Sequence, residues 1–323
     1  MKAIICPKYG SPDILELKEI AKPIPRDNEI LIKIYASSLN AADWHIMRGD
    51  PAIYRPVLGL LKPKYRILGA DVAGQVEQVG KSVTRFKQGD EVFGNLFACG
   101  LGGFAEFVCA VEDALVLKPA NIKFEEAAAV PLAAISALQG LRAGQIRSGQ
   151  KILINGASGG VGTFAVQIAK SFGAEVTAVC STGKIEMVRS IGADHVIDYT
   201  KEDFTRNDKH FDLIVAANGD RSILDYKRAL APTGRYVMIG GSGSQMAQAI
   251  FIGPFISMIS GKKMSNLVAT SNQKDLVFMM ELLEAGTVKP VIDRRYTLSQ
   301  VPDAMRYLEE GHAMGKIVIN MES

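Results

Sequence analysis

The sequence has little cysteine, little histidine, a single tryptophan, almost no net charge and no long apolar run. Its four cysteines, Cys6, Cys99, Cys109 and Cys180, include no C-x-x-C pair. That argues against both a zinc ribbon and a disulfide framework, and leaves reduced thiols as the plain reading. The four histidines, His45, His195, His210 and His312, are scattered with no i, i+4 pair, so the helical metal motifs are missing. With 37 Lys and Arg against 34 Asp and Glu, the formal charge is only +3. Nothing in that balance draws the chain to nucleic acid or to an anionic membrane. No stretch reaches the ~18 apolar residues of a membrane span. The most apolar window, "MAQAIFIGPFISMIS", is broken by Gly253 and Pro254. The expectation is a soluble cytoplasmic protein without nucleic-acid or membrane partners.

What is present is apolar residues in quantity, 48% of the chain, enough for real cores. At 323 residues, more than one domain is expected. The first third is rich in strands punctuated by glycine, such as "EILIKIYAS", "DVAGQVEQVG" and "DEVFG", a texture that suggests a compact β-barrel or sandwich. The alanine-rich run "FEEAAAVPLAAISALQGL" marks a transition to helix. From Lys151 onward, short apolar strands ("KILIN", "EVTAVC", "HVID", "DLIVAA", "RYVMIG") alternate with helical segments, which implies a doubly wound parallel sheet. Two further helices and the strands "VIDRRYTL" and "GKIVIN" close the chain. Periodicity alone leaves open whether this tail extends the second sheet or returns to the first domain.

Between "KILIN" and the next helix lies "GASGGVG", with Gly156, Gly159, Gly160 and Gly162. The helix after it sets Val161, Phe164, Ala165, Ile168 and Ala169 on one face. Bare backbone at a strand-to-helix turn lets a pyrophosphate reach amide N–H groups at the positive end of the helix dipole. The G-x-x-G-x-x-G spacing is a variant of the dinucleotide fingerprint in its proper β-α-β setting; the competing reading is a tight turn with close packing. An NAD site usually carries a carboxylate at the end of the second strand. Here that strand ends Cys180, Ser181, Thr182, Gly183, Lys184. Hydroxyls and a lysine suit a ribose 2′-phosphate, so NADPH is the expected cofactor. The same residues also suit a cap on the following helix.

These segments together with "EILIKIYASSLNAADWHIMRG", "ILGADVAGQVEQVG", "GGFAEFV", "NGASGGVG" and "GADHVIDY" make the chain resemble the zinc-independent medium-chain dehydrogenase/reductases. The likeness is to the quinone oxidoreductase branch that includes zeta-crystallin, near the chloroplast-envelope quinone oxidoreductase homologues and the mitochondrial reticulon-interacting proteins. The resemblance implies a GroES-like β-barrel catalytic domain (residues 1–122), a Rossmann domain binding NADPH (123–268) and a C-terminal return to the catalytic domain (269–323).

It also implies site residues. Asn40 stands at the family's active-site asparagine, with an amide able to donate to an acceptor oxygen or to the nicotinamide ribose. Asp43 would hold Asn40 or cap the next helix, and Ser136 stands where relatives face the nicotinamide. Gly156, Ser158, Gly159, Gly160, Val161, Gly162, Ser181, Lys184 and Tyr199 would contact NADPH, with Asn218, Ile239 and Gly240 nearby. His312 and Lys316 belong to the C-terminal "HAMGK", a segment that the resemblance also brings to the cofactor and where the family's arginine is replaced by Met314. A second departure is "VAANG", with Ala216 at a usual carboxylate position and Asn218 beside it. Trp44, Tyr54, Phe93 and Phe97 are candidates for an apolar pocket, or ordinary core.

Zinc-dependent relatives carry ligands near Asn40 and after Gly69, where this chain reads Ala70 and Asp71, so no metal is expected. Without a Lewis acid to stabilise an alkoxide, alcohol oxidation is difficult. A quinone or an α,β-unsaturated carbonyl is already electrophilic, and its delocalised anion needs only a hydrogen-bond donor or two. Reduction of such a substrate by NADPH is therefore the expected function. The alternatives are a zinc-independent alcohol or aldehyde dehydrogenase, or an NADPH-binding regulatory protein without turnover. A homodimer is the expected assembly.

Overall fold

The structure, a computed structural model, describes residues 1–52, 55–206, 209–219 and 221–321; Tyr54 lies outside them. These fall into two compact units, Met1–Leu132 with Ser271–Ser323, and Ala133–Thr270.

The first unit is built from β1 (Lys2–Ile5), β2 (Glu16–Glu19), β3 (Glu29–Leu39), α1 (Ala41–Arg48), α2 (Arg55–Leu58), β4 (Asp71–Val79), β5 (Glu91–Asn95), β6 (Phe107–Val111), β7 (Leu115–Leu117) and α3 (Phe124–Ala128). The alanine-rich run is two helices, α3 and α4 (Pro131–Ala143). Pro131 disfavours helical backbone at the residue before it, which separates them, and α4 carries the chain into the second unit. Strand β3 is the hub of a seven-stranded sheet, paired with β4, β6 and the late strand β15 (Lys316–Asn320). Its β-branched run therefore buries Ile30, Leu31, Ile32 and Ile34 on both faces rather than in alternation. Ile30, Ile32 and Ile34 pack with Val72, Val76, Val92 and Leu115.

The second unit holds a six-stranded parallel sheet in the order β10-β9-β8-β11-β12-β13. Its strands are β8 (Lys151–Asn155), β9 (Glu175–Cys180), β10 (His195–Asp198), β11 (Phe211–Ala216), β12 (Leu230–Met238) and β13 (Lys263–Asn266). Helices α5 (Gly160–Ser171), α6 (Ile185–Ser190), α7 (Ile223–Ala229), α8 (Gly243–Phe251) and α9 (Gly253–Ile259) connect them. The order reverses at β8: the chain moves outward through β9 and β10, then returns to β11 on the other side. That reversal is the topological switch point where such sheets bind ligands. The apolar window that the sequence left unassigned forms α8 and α9, and Pro254 sits in the first turn of α9, where its missing N–H is harmless.

The tail returns to the first unit. Helix α10 (Gln273–Glu284), β14 (Ile292–Thr297), α11 (Val301–Glu309) and β15 lead the chain back, with β14 parallel to β15 and β15 antiparallel to β3.

Candidate functional site

Two groupings hold most of the residues picked out in the sequence, one in each unit.

In the second unit, β8 ends at Asn155 and the chain turns through Gly156 at φ +79°. A Cβ there would sit 2.8 Å from the Asn218 nitrogen, and one on Gly162 would sit 2.1 Å from the Gly156 carbonyl oxygen. These two glycines build the turn and bring α5 against it. Gly159 differs: its Cβ would meet only the Gly156 oxygen, at 3.6 Å, so its side of the loop is open. The first N–H groups of α5 have no acceptor inside the helix. An open turn with bare backbone at Gly159 and Gly160, leading into the first amides of a helix, fits a pyrophosphate. Ser158 is buried at this turn and Val161 half-buried. Helix α5 itself is buried on nearly all sides, from Gly162 to Ala169, rather than on the one face read from the sequence. It ends as expected, with Gly173 at φ +76°.

At the end of β9 the chain makes one 3₁₀ turn, Thr182–Lys184, preceded by Ser181. The Lys184 N–H donates to the Ser181 carbonyl at 3.0 Å. Tyr199, half exposed, hangs its backbone on this strand, its N–H donating to the Cys180 carbonyl at 3.1 Å. Across the switch point, the N–H groups of Ile239 and Gly240 both reach the Ala216 carbonyl, at 2.9 and 3.2 Å. Exposed Asn218 follows β11, its N–H directed at the Asn155 carbonyl at 3.3 Å. Ser136 is buried in α4. The glycine turn, the Ser181–Lys184 turn and the ends of β11 and β12 thus share one edge of one sheet.

In the first unit, strand register gathers the second grouping. Ser38 of β3 pairs with Asp71 of β4, while Leu39 pairs with Ile317 of β15. Asp71 and Lys316 are thereby drawn to the end of β3, where Asn40 caps α1. Asp71 has no solvent exposure. Its Oδ2 accepts from the Ser38 hydroxyl at 2.9 Å, the Asn40 amide at 2.9 Å and the Lys316 ammonium at 3.4 Å. Its Oδ1 accepts from the Leu132 N–H at 2.9 Å and the Asn95 amide at 3.3 Å. Lys316 spends its remaining protons on the Leu39 carbonyl at 3.0 Å and Asn40 Oδ1 at 2.5 Å. Burial pulls this lysine below its usual range, while the Asp71 and Asp43 carboxylates oppose that pull.

This arrangement revises two expectations and merges the two alternatives of a third. Asn40 was expected to donate to a substrate oxygen or the ribose, but its amide N–H groups point to Asp71 Oδ2 and, at 3.5 Å, to the Ser38 carbonyl. Its donors are used inside the protein. Asp43, expected to hold Asn40 or to cap the next helix, is fully buried with both oxygens taken: Oδ2 by the Asn40 N–H at 2.9 Å and Oδ1 by the Gly69 N–H at 3.0 Å. It holds Asn40 and stabilises the first turn of α1 at once, so the two roles weighed for it coincide. Lys316, expected at the cofactor, turns inward because three oxygens converge on its ammonium. His312, by contrast, is exposed. Phe93 is core and Phe97 partly exposed. Trp44 donates its indole N–H to Glu309.

Sequence reasoning missed Asp71 as a partner and also Asp198, because their significance arises from strand register. Among the described residues, no three His, Cys, Asp or Glu side chains are grouped to hold a metal ion.

Two family models match the chain: an alcohol dehydrogenase GroES-like domain over residues 26–120 and a zinc-binding dehydrogenase over residues 191–319. The chain is 37% identical to the chloroplast envelope quinone oxidoreductase homolog of Arabidopsis thaliana, over 94% of this chain and 93% of the relative. It is 35% identical to the chloroplastic NADPH-dependent alkenal/one oxidoreductase of the same plant, over 99% and 79%. The structure matches that of the quinone oxidoreductase from Coxiella burnetii with a TM-score of 0.89 and 29% identity, over 100% of this chain and 99% of the other. Both plant relatives are named for the chloroplast, which overturns the expectation of a cytoplasmic protein. A glycine turn at the switch point of a parallel sheet, a β-rich unit completed by the chain's own tail and likeness over nearly the full length all agree: the chain belongs to the medium-chain dehydrogenase/reductases, in their quinone oxidoreductase-like branch, and is an oxidoreductase that uses a nicotinamide cofactor.

Proposed function

We propose that this protein reduces quinones or activated α,β-unsaturated carbonyls with NADPH, without zinc. The observation that carries the reading is the filling of the pole at the end of β3. Where zinc-dependent relatives present metal ligands, this chain presents an amide, a carboxylate and a lysine ammonium bonded to one another. An ammonium held there repels a second cation and uses up the oxygens that would bind it. Substrates that accept hydride without a Lewis acid are then the ones this chain suits. The names of the relatives point the same way.

When bound, the nicotinamide supplies the hydride. The protein's part is to cradle the pyrophosphate on the Gly159–Gly160 backbone and to hold the 2′-phosphate with Ser181 and Lys184. Ile239 and Gly240, at the end of β12, stand beside the nicotinamide half. With the Asn40 donors engaged, this reading assigns the delivery of the proton to solvent.

Steady-state oxidation of NADPH against a panel of quinones, enones and aldehydes tests the reading. Turnover of quinones or enones that survives a strong chelator is expected. Turnover confined to aldehydes would favour the dehydrogenase alternative, and tight NADPH binding with no turnover would favour a regulatory protein. The assembly we propose is a homodimer. Its support is that β13 ends the sheet and lies beside the exposed apolar residues Phe251, Phe255, Met258 and Ile259.

A further inference from the structure

We propose that Asp198 is a positioning residue for the 2′-phosphate site: it anchors the Ser181–Lys184 turn and is itself closed to the ribose. The inference rests on the NADPH reading and deepens it.

Asp198 ends β10, and parallel pairing sets it level with Cys180, the residue just before Ser181. The sheet thus brings a carboxylate to the very edge where NAD-binding sheets use one to accept from the ribose 2′-OH. From the sequence alone that carboxylate is invisible, because it comes from the third strand and not the second. Left free, it would draw the 2′-OH of NADH and repel the 2′-phosphate of NADPH.

It is not free. Oδ2 accepts from the Thr182 hydroxyl, the first residue of the turn. Oδ1 accepts from the Thr200 hydroxyl at 2.7 Å and the Thr200 N–H at 3.0 Å. Lys201 places its ammonium 3.6 Å from Oδ2, and the residue is only 7% exposed. Those hydroxyl and N–H donors, led by Thr182, hold the carboxyl down to about 2, so it stays an ionised acceptor throughout the working pH range. Both oxygens face protein donors, which leaves a ribose hydroxyl no open acceptor.

The same bonds give the turn its shape. Thr182–Lys184 is a single 3₁₀ turn containing the exposed Gly183, where an added Cβ would meet nothing within 4 Å. Little packing restrains it. Two backbone bonds close it, from Lys184 N–H to the Ser181 carbonyl and from Ile185 N–H to the Thr182 carbonyl, and the Thr182 hydroxyl, bonded to Asp198 and 3.1 Å from the Thr200 hydroxyl, ties it to the sheet. Releasing Thr182 would let Ser181 and Lys184 sample many positions, and fixed donors are what a phosphate needs.

Calorimetric titration with 2′,5′-ADP and 5′-AMP, which differ at the 2′-phosphate, tests this without catalysis. Wild type is expected to bind 2′,5′-ADP the more tightly. Asp198→Ala should weaken 2′,5′-ADP about tenfold or more and leave 5′-AMP within twofold, which also shows that the site is folded. Thr182→Val should do the same, and the double variant should be no worse than either single one, since both cut the same link. Asp198→Asn, which keeps one acceptor for Thr182, should recover part of the loss. Equal weakening of both probes would overturn the proposal in favour of general support of β10. Weakening of 5′-AMP alone would overturn it in favour of a direct ribose contact, and no change in either would overturn it outright. If wild type binds the two probes equally and Lys184→Ala changes neither, the NADPH reading itself fails, whatever Asp198 does.

Discussion

At the scale of single residues, Lys316 and Asp71 carry the largest energetic stake. A buried ion pair contributes little net stability when intact but is costly to break, because the surviving charge is left in a low-dielectric interior. Lys316→Met should therefore destabilise the protein by about 3–5 kcal/mol, read from the shift in urea midpoint. Adding Asp71→Asn should recover much of that loss at pH 5, where Asp43 keeps its proton and no unpaired charge remains beside it. Equal stability of the single and double variants would show that the pair is not coupled. Asp43 makes a second claim. Burial, and then the Asp71 carboxylate, push its carboxyl up to about 7, against the pull of the Asn40 and Gly69 N–H groups. The folded chain then keeps a proton that the unfolded chain releases near pH 4, so the contribution of Asp43 to stability falls as pH rises from about 4 to about 7. Thermal melts across that range should show this decline, and Asp43→Asn should flatten it. A wild-type profile no steeper than that of the variant would refute the assignment.

At the scale of elements, the β8–α5 turn divides its glycines between building and binding. Gly162→Ala drives a methyl into the Gly156 carbonyl, 2.1 Å away, and should lower stability with or without ligand. Gly159→Val meets little within the protein, so it should fold nearly normally and lose NADPH binding, because its side chain occupies the open side of the loop. Melts with and without NADPH separate the two. Wild type should gain about 2.7 kcal/mol at a hundredfold excess of ligand over Kd. A folded Gly159→Val protein with the full NADPH shift would show that this loop does not cradle the phosphate. The glycine pattern was legible because its spacing is local and sits between a strand and a helix. The α8–α9 pair was not: its apolar residues, Phe251 and Met258 among them, remain exposed, so they follow no core-facing period.

At the scale of the whole molecule, those exposed residues beside the unpaired edge of β13 make a monomer with an uncovered apolar face. Light scattering is expected to give a mass near that of two chains of 34.8 kDa each. Phe255→Glu should shift the protein toward the monomer by placing a charge in that face. A wild-type monomer at micromolar concentration would refute the dimer. The tail is a further lesson at this scale. Periodicity identified "VIDRRYTL" and "GKIVIN" as strands but carried no information about which sheet they join. The family resemblance implied a return to the first domain, and in the structure β15 pairs with β3, which also places Lys316.

By itself, the sequence determined whatever depends on near neighbours along the chain: the first five strands of the parallel sheet with helices α5 to α7, the turn at Gly156, the stop at Gly173 and the lack of a carboxylate after Cys180. These follow from backbone freedom, side-chain period and hydrogen bonding over a few residues. The tertiary structure alone decided which polar groups meet. Asp71 and Lys316 are 245 residues apart, and Thr182 and Asp198 are separated by a whole helix and strand. A buried polar group takes the nearest partner that offsets its lost hydration, and strand register, not sequence spacing, sets which partner is near. For that reason Asn40 and Lys316, read from the sequence as facing ligands, face each other.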